Sequence, residues 1–586
     1  MLVVAPEGEL PAARLVWGTG DWLPPEKREA LDWLTLARLL GWGVEVTYMG
    51  KSALGAEACT GRRWIILACE PGCLGEEVVG LLAKRLMEEP ILVVARAGAG
   101  GQAIARLAGA ARNPERIAGR SLVWMEPGPG HGWRCRKSVE ASALRLSEEA
   151  SVWATLEDAP VVVARKVGRG LIATLGFHPS QARDIDRAVT ALLRHLLIWG
   201  STAPVAWLDL EGTLVLRMDD PGGATNAHLR SWSYSKLGEA DWAAIGASLW
   251  RRNARMSIGY VAGWVDDGDT ARGDLRVAGR APHRVPGRVY PSPLVKYRDR
   301  SGHMPGTLHD YEAEFRGIQA LRAAGLGEVE LHGYTHIHPD SVSWAKAPDR
   351  YEATSWFREL GGRAEALIAS RPPDEHPLAL GVAALRRYFT VHPTTLICPG
   401  DEWTDGSLER ALELGLQMVS NSYLALRHED RFCWTTHVCA AYLEQAGASW
   451  FDSGLPVVGY FHDRDAALEG ISWIKRWLDS WQAAGARKLM DLRELAAAVG
   501  RRLYLEEHEG KLRLEVTSRG APALVRPLTV ILRLPGDRLP SRLPVSLDNR
   551  DVSLSVYPLA EGLGRIVLPP LAEPNSTQES GQASKD

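Results

Sequence analysis

Two adjacent carboxylates, Asp219 and Asp220, close the stretch LVLRMDDPGG at residues 214–223, where an apolar run gives way to Pro221, Gly222 and Gly223. Neighbouring side chains on a strand point to opposite faces, so the pair need not share one environment. A solvated acidic turn is one reading. The other divides the labour: one carboxylate holds a metal ion and its neighbour moves a proton. A second cluster lies in EVELHGYTHIHPD, residues 328–340, where His332 and His336 stand four apart directly after a strand-like run, with His338 close by. Neutral imidazoles at that spacing can face one point, which suits zinc or a similar divalent ion. Alone, the histidines could equally cap or decorate a surface loop. Together with the aspartates they supply two nitrogen ligands and one oxygen ligand, a common catalytic set that keeps one position open for water.

With these residues in this order, the chain from about 211 to 497 resembles the polysaccharide deacetylases, the NodB-like family 4 carbohydrate esterases with a deformed (β/α) barrel. The resemblance implies that Asp219 is the general base and that Asp220, His332 and His336 hold the metal. The family's R-x-P-x-G motif falls at LICPGDEW, with Pro399 and Gly400, and its late Leu-x-His strand at GYFHDRD, which implies His462 as the general acid and Asp452 as the aspartate that tunes it. The implied reaction is deacylation of an N-acetylated sugar or related amide. Asp219 would take the proton of an attacking water and His462 would protonate the departing amine. The implied cofactor is a divalent metal, zinc first, with Co2+, Ni2+ or Mn2+ as alternatives.

Several positions depart from the family pattern. The first motif reads R-M-D-D-P, and the literal DDG string at Asp266–Asp267–Gly268 follows the second strand, not the first. Gly333 replaces the Ser or Thr after the first histidine, and Ile397 replaces the third-motif Arg that normally orients the base. Arg217 lies two residues before Asp219, hence on the same strand face, and is the expected substitute. Trp264, Trp403 and Tyr460 near strand ends are candidate stacking surfaces for a sugar, and His309 and Asp310 are candidate cleft contacts.

The elements that must position these groups read as an α/β protein with four parts. Residues 1–204 alternate apolar strands (RLVWG, VEVTYMG, WIILACE, ILVVARA, SLVWME) with amphipathic helices, which predicts a mainly parallel, flavodoxin-like sheet. In layout this part resembles glutamine-amidotransferase-like domains. Cys69 and Cys73 near a strand end, with His178 as the one candidate partner, fall short of that family's Cys–His–Glu set, so a non-catalytic, partner-binding or oligomerising role is expected. Gly98, Gly100 and Ala103, with Glu126 further on, fit a loose dinucleotide fingerprint, but too late in the domain to open it. Residues 205–502 give about seven strands with intervening helices, the pattern of an α/β barrel whose working groups gather at the C-terminal strand ends. Residues 503–572 read as a small antiparallel β-sandwich, and 573–586 as a disordered tail.

Composition narrows the classes of function. The formal net charge of −3 gives no electrostatic case for nucleic acid or an anionic membrane. The 22 Trp against 7 Phe favour sugar stacking only weakly, because a GC-rich genome has the same effect. Seven scattered cysteines without a CxxC pair exclude a Cys-based zinc site and a disulfide framework. No basic n-region opens the chain and no long apolar run interrupts it, so a cytoplasmic protein is expected. The competing readings are a non-catalytic carbohydrate-binding protein and a metal-independent glycoside-processing barrel, which would need a second acid across the cleft.

Overall fold

The computed structural model describes residues 1–5, 25–48, 59, 61–98, 101–181, 187–348, 357–361, 364–444, 446–508, 511–518, 520–534 and 539–571. The expected tail at 573–586 lies outside them. Among the described residues, no helix is long and apolar enough to cross a membrane.

The N-terminal sheet has nine strands: β1 (Leu2–Ala5), β2 (Glu45–Tyr48), β3 (Trp64–Leu67), β4 (Leu92–Arg96), β5 (Ala110–Trp124), β6 (His131–Leu146), β7 (Ala150–Leu156), β8 (Ala159–Val167) and β9 (Gly170–Leu175). They lie in the order β2-β1-β3-β4-β9-β8-β7-β5-β6. The first five in that order run parallel, and their continuous apolar runs suit strands covered on both faces. The other four pair antiparallel, so the sheet is mixed and not mainly parallel as expected. The reason is visible in β6, where exposed and buried positions interleave around Trp133, Cys135, Val139 and Ala141, as in a strand with one wet face.

The middle of the chain closes a barrel of eight strands: β11 (Thr213–Asp219), β12 (Met256–Tyr260), β13 (Gly327–Leu331), β14 (Thr395–Ile397), β15 (Met418–Ser420), β16 (Tyr423–His428), β17 (Arg431–Tyr442) and β18 (Val457–His462), with β18 returning to β11. A further strand, β19 (Lys488–Met490), pairs with the start of β11, while the end of β11 pairs with β12. The β16–β17 hairpin makes antiparallel contacts that the strand–helix alternation does not predict. The run MSIGYVAGW, expected as one strand, is split: β12 stops at Tyr260, and Gly263–Val265 opens an insertion of short antiparallel strands reaching Asp310.

The strand before the barrel, β10 (Val205–Leu208), pairs antiparallel with Leu528–Arg533 in a four-stranded sheet, and a second four-stranded sheet begins at Arg502. Within that second sheet Lys511–Thr517 runs parallel to Arg542–Leu547, a departure from the purely antiparallel arrangement expected. One apolar cluster joins the parts: Trp33, Trp124 and Leu196 of the N-terminal region, Val215 and Met418 of the barrel, and Leu514, Val530 and Ile566 near the C-terminus. This shared core fixes the barrel against both neighbours.

Candidate metal centre

All seven residues of β11 are buried, including Arg217 and Asp219. A barrel strand can carry two charges inward only if they are paired. Arg217 Nη2 lies 2.8 Å from Asp219 Oδ2, its Nη1 donates to Ser420 Oγ on β15 at 2.8 Å, and its guanidinium lies 4.0 Å from the ring centre of Tyr460 on β18. Three strands therefore hold one carboxylate. Its other oxygen, Oδ1, is buried without a hydrogen-bond partner.

The adjacent carboxylate turns into the same space because Asp220 leaves the strand with φ 77°. That conformation costs a non-glycine residue about 1–2 kcal/mol and breaks the strand's alternation of faces. The turn is held on both sides: Val261 N–H donates to the Pro221 carbonyl, and Gly222 N–H donates to the buried Glu314 at 2.8 Å.

Opposite, β13 ends at Leu331 and delivers His332. Its Nδ1 donates to the Ile397 carbonyl at 3.0 Å, and its Nε2 lies 3.2 Å from Asp220 Oδ1, a contact that raises the imidazole against the effect of burial. His336 also stands at positive φ (55°), with Nε2 3.5 Å from the same Oδ1. Between the two histidines the backbone wraps a buried carboxylate. Glu359 accepts from the N–H groups of Tyr334, Thr335 and His336 and from the Thr335 hydroxyl, at 2.8–3.2 Å. Gly333 is required here. Its φ is 66°, and a Cβ would run into Glu359 Oε2 and Pro399 Cγ, so the Ser or Thr of the family pattern has no room.

The ligand atoms of Asp220, His332 and His336 lie within 4.8 Å of one another, and all three residues are buried. The donor set fits a divalent cation: a carboxylate oxygen and two imidazole nitrogens converge on one point, the ligand types such an ion takes. Burial pushes His336 down to about 4, into the neutral form that ligates. Burial would raise Asp220, but the imidazoles of His336 and His332 outweigh it and hold the carboxyl well below its usual range. Among the described residues this is the one such group found, and His338 is not in it. The His338 ring nitrogen accepts from Asp340 N–H and serves the loop.

His462 ends β18 beside β11, in register with Asp219. Its Nδ1 lies 3.4 Å from Asp465 Oδ2, and the same oxygen accepts its backbone N–H at 2.8 Å. Burial would lower this imidazole, but Asp465, with the charges of Asp220 and Asp219, carries it up to about 9. The expected partner, Asp452, is instead exposed at the end of the short helix Ala448–Phe451. Asp465 is the third residue of the helix that His462 caps, where a capping carboxylate returns to the backbone N–H of the N-cap residue. Trp232, Tyr442 and Tyr460 surround the imidazole with ring centres 5.0–6.1 Å away.

No family model and no curated protein matches this chain. Among solved structures the chain is similar to the carbohydrate deacetylase Agd3 over 97% of this chain and 99% of that one, at 10% identity and a TM-score of 0.41. A protein from Mycobacterium smegmatis proposed to be a polysaccharide deacetylase aligns over 50% of this chain and 92% of its own, at 14% identity and a TM-score of 0.30. The exo-β-1,4-mannosidase Op5Man5 from Opitutaceae bacterium strain TAV5 aligns over 33% of each chain, at 15% identity and a TM-score of 0.22.

Other sequence candidates fall elsewhere. Trp264 is fully buried against Tyr297, Tyr311 and His228, so it offers no face to a sugar. Trp403 is half-buried with one face stacked on Trp434, ring centres 4.3 Å apart. Pro399 and Gly400 form the turn behind His332, and Gly400 (φ 62°) packs against Phe357. The DDG copy is a structural clamp: Arg284 bridges Asp266 at 2.7 Å and Asp267 at 2.6 Å, and Asp267 faces His228. His309 is buried on Asn226, and Asp310 caps the helix Tyr311–Ala323. Cys69 is buried and pushed up to about 12, the reverse of an activated thiol. The glycine-rich stretch at 98–103 (99 and 100 lie outside the described residues) leads into a helix of seven residues, and the next strand, β5, is antiparallel, so no βαβ dinucleotide unit forms.

The sequence reading also missed residues now at the site. Asp401 (φ 58°) lies in the field of Arg217, and burial raises its carboxyl. Its position directly after Pro399–Gly400 was the available signal. Trp232 donates from Nε1 to Asp220 Oδ2 at 3.2 Å, and nothing in its local sequence marks it.

Proposed function

We propose that this protein is a metal-dependent hydrolase that removes an acyl group from an N-acylated sugar or related amide. The observation carrying the proposal is the convergence of Asp220, His332 and His336 within 4.8 Å, beside a carboxylate, Asp219, that is held by an arginine and not by the histidines. A divalent cation at those three residues supplies Lewis acidity toward an acyl carbonyl and acidifies water. Arg217 fixes Asp219 through Oδ2, which leaves Oδ1 to accept the proton of the attacking water. His462, whose protonated form Asp465 favours, donates its proton to the departing amine nitrogen. Trp232, Tyr442 and Tyr460 pack around that imidazole, ring centres 5.0–6.1 Å away, and hold its orientation.

Arg217 takes the place left by Ile397. The base keeps a guanidinium partner although the third-motif position is apolar, and this favours a working enzyme over a barrel reduced to sugar binding. The test is elemental analysis of the purified protein together with the D220A, H336A and D219N variants. One divalent ion per chain should be lost in the first two and retained in D219N, with kcat for deacylation of an N-acetylated sugar down about 100- to 10,000-fold in D219N. A chain that purifies and reconstitutes without a stoichiometric ion refutes the reading.

A further inference from the structure

We propose a second ligand site in the N-terminal region, independent of the barrel chemistry: a pocket for a small molecule bearing a carboxylate or phosphate. A polar cavity of about 240 Å3 opens beyond the C-terminal ends of β4 and β9 and is closed on its far side by β5 and β6. Crevices at the carboxyl ends of parallel strands are where open α/β sheets receive ligands. The volume falls below the ~300–1,000 Å3 of drug-sized sites, so the occupant is no larger than about one sugar ring.

The lining carries three arginines against one carboxylate, Glu140, so it is net cationic and partly uncommitted. At the floor, Arg96 is already neutralised, with Nε 2.7 Å from the buried Glu29 and Nη2 3.1 Å from Glu70. Its charge is therefore spent on the fold. Arg112 and Arg116, both from β5, line the same cavity, and neither forms an ion pair with a described carboxylate. Arg112 is aimed by a hydrogen bond from its Nε to Ser142 Oγ at 3.0 Å, which leaves its two terminal nitrogens to the cavity. His178 adds an imidazole whose Nδ1 is engaged by Ser180 and whose Nε2 approaches Glu29 at 3.5 Å. The wall is tied across β6, where the Gln181 side-chain amide pairs with the Glu140 backbone N–H and carbonyl, each at 2.7 Å. Two guanidinium groups on one wall match the oxygens of a carboxylate or phosphate, which can accept from both in a charge-assisted pair.

The two sources of such an oxyanion, a sugar acid and a free phosphate, separate experimentally. Isothermal titration of the full chain uses galacturonate, inorganic phosphate and, as a neutral control, galactose, at low and at physiological ionic strength. The expected result is saturable binding of at least one anion with one site per chain, weakened by salt and about tenfold for each arginine removed in R112A and R116A. Galacturonate alone identifies a sugar-acid site, and binding of phosphate as well identifies a general oxyanion site. Both arginines are exposed, so the variants should fold, and an unchanged thermal midpoint checks this. Binding of neither anion, equal binding of galactose, or full affinity in a folded R112A/R116A double variant overturns the proposal.

Discussion

The indole Nε1 of Trp232 donates to Asp220 Oδ2 at 3.2 Å, while Oδ1 of the same carboxylate faces His332 and His336 at 3.2 and 3.5 Å. One oxygen is thereby reserved for the histidine side of the site. Trp232 also meets His462 edge-on, ring centres 5.2 Å apart, so a single ring touches both the proposed metal ligand and the proposed acid. Under the proposed function, W232F removes the N–H and keeps an aromatic ring at the position. Metal affinity, measured by competition with a chelator, should fall about 10- to 100-fold, the usual cost of losing a ligand's hydrogen-bond partner.

Asp465 and Asp452 are the two candidates for tuning His462, and it is Asp465 whose carboxylate lies 3.4 Å from the imidazole Nδ1. The imidazole must be protonated to act as an acid, and Asp465 raises it toward about 9. Removing that carboxylate lowers the imidazole, so protonation is lost at a lower pH. The alkaline limb of the kcat–pH profile should therefore move down by about one pH unit or more in D465N. In D452N it should stay where it is.

Glu330 is fully buried on β13 and accepts from Thr394 N–H, the Thr394 hydroxyl and Thr395 N–H, yet burial pushes its carboxyl up to about 7. An unfolded glutamate titrates near 4.5. Between those values the folded chain binds a proton that the unfolded chain releases, so this group's contribution is complete below about 4.5 and is lost as pH rises through about 7. The difference corresponds to about 3 kcal/mol. E330Q keeps the acceptor and the shape. Denaturant unfolding should show E330Q gaining on the native chain at pH 8 and matching it near pH 4.5.

Gly333→Ser would restore the letter of the family motif. It places a Cβ at φ 66° against the Glu359 carboxylate that holds three successive backbone N–H groups, including that of His336. The variant should be about 2–4 kcal/mol less stable in chemical denaturation. Its metal affinity should fall as well, because the same displacement moves His336.

Much of the site is legible in one dimension because its residues cluster at strand ends: Arg217, Asp219 and Asp220 within four positions, His332 and His336 within five. The barrel strand over Thr213–Asp219 follows from its continuous apolar run, and the parallel half of the N-terminal sheet follows from similar runs between helices. The β16–β17 hairpin and the antiparallel extension β5–β8 do not follow from that alternation, because an apolar segment carries no mark of which neighbour it will pair with. Trp264 shows the same limit. Its type suggested a sugar platform, whereas burial against three aromatic rings makes it core.

By itself the sequence determined which chemical groups are present, their order along the chain and the strands that carry them, since residue type and period-two patterning are local properties. Only the tertiary structure decided the partnerships: Arg217 with Asp219 and Ser420, Glu359 with the histidine loop, Trp232 with Asp220, and Asp465 instead of Asp452 with His462. Each of these turns on distances of a few ångströms and on left-handed backbone turns at Asp220, Gly333 and His336, and at the two non-glycine residues such strain persists only where surrounding packing enforces it.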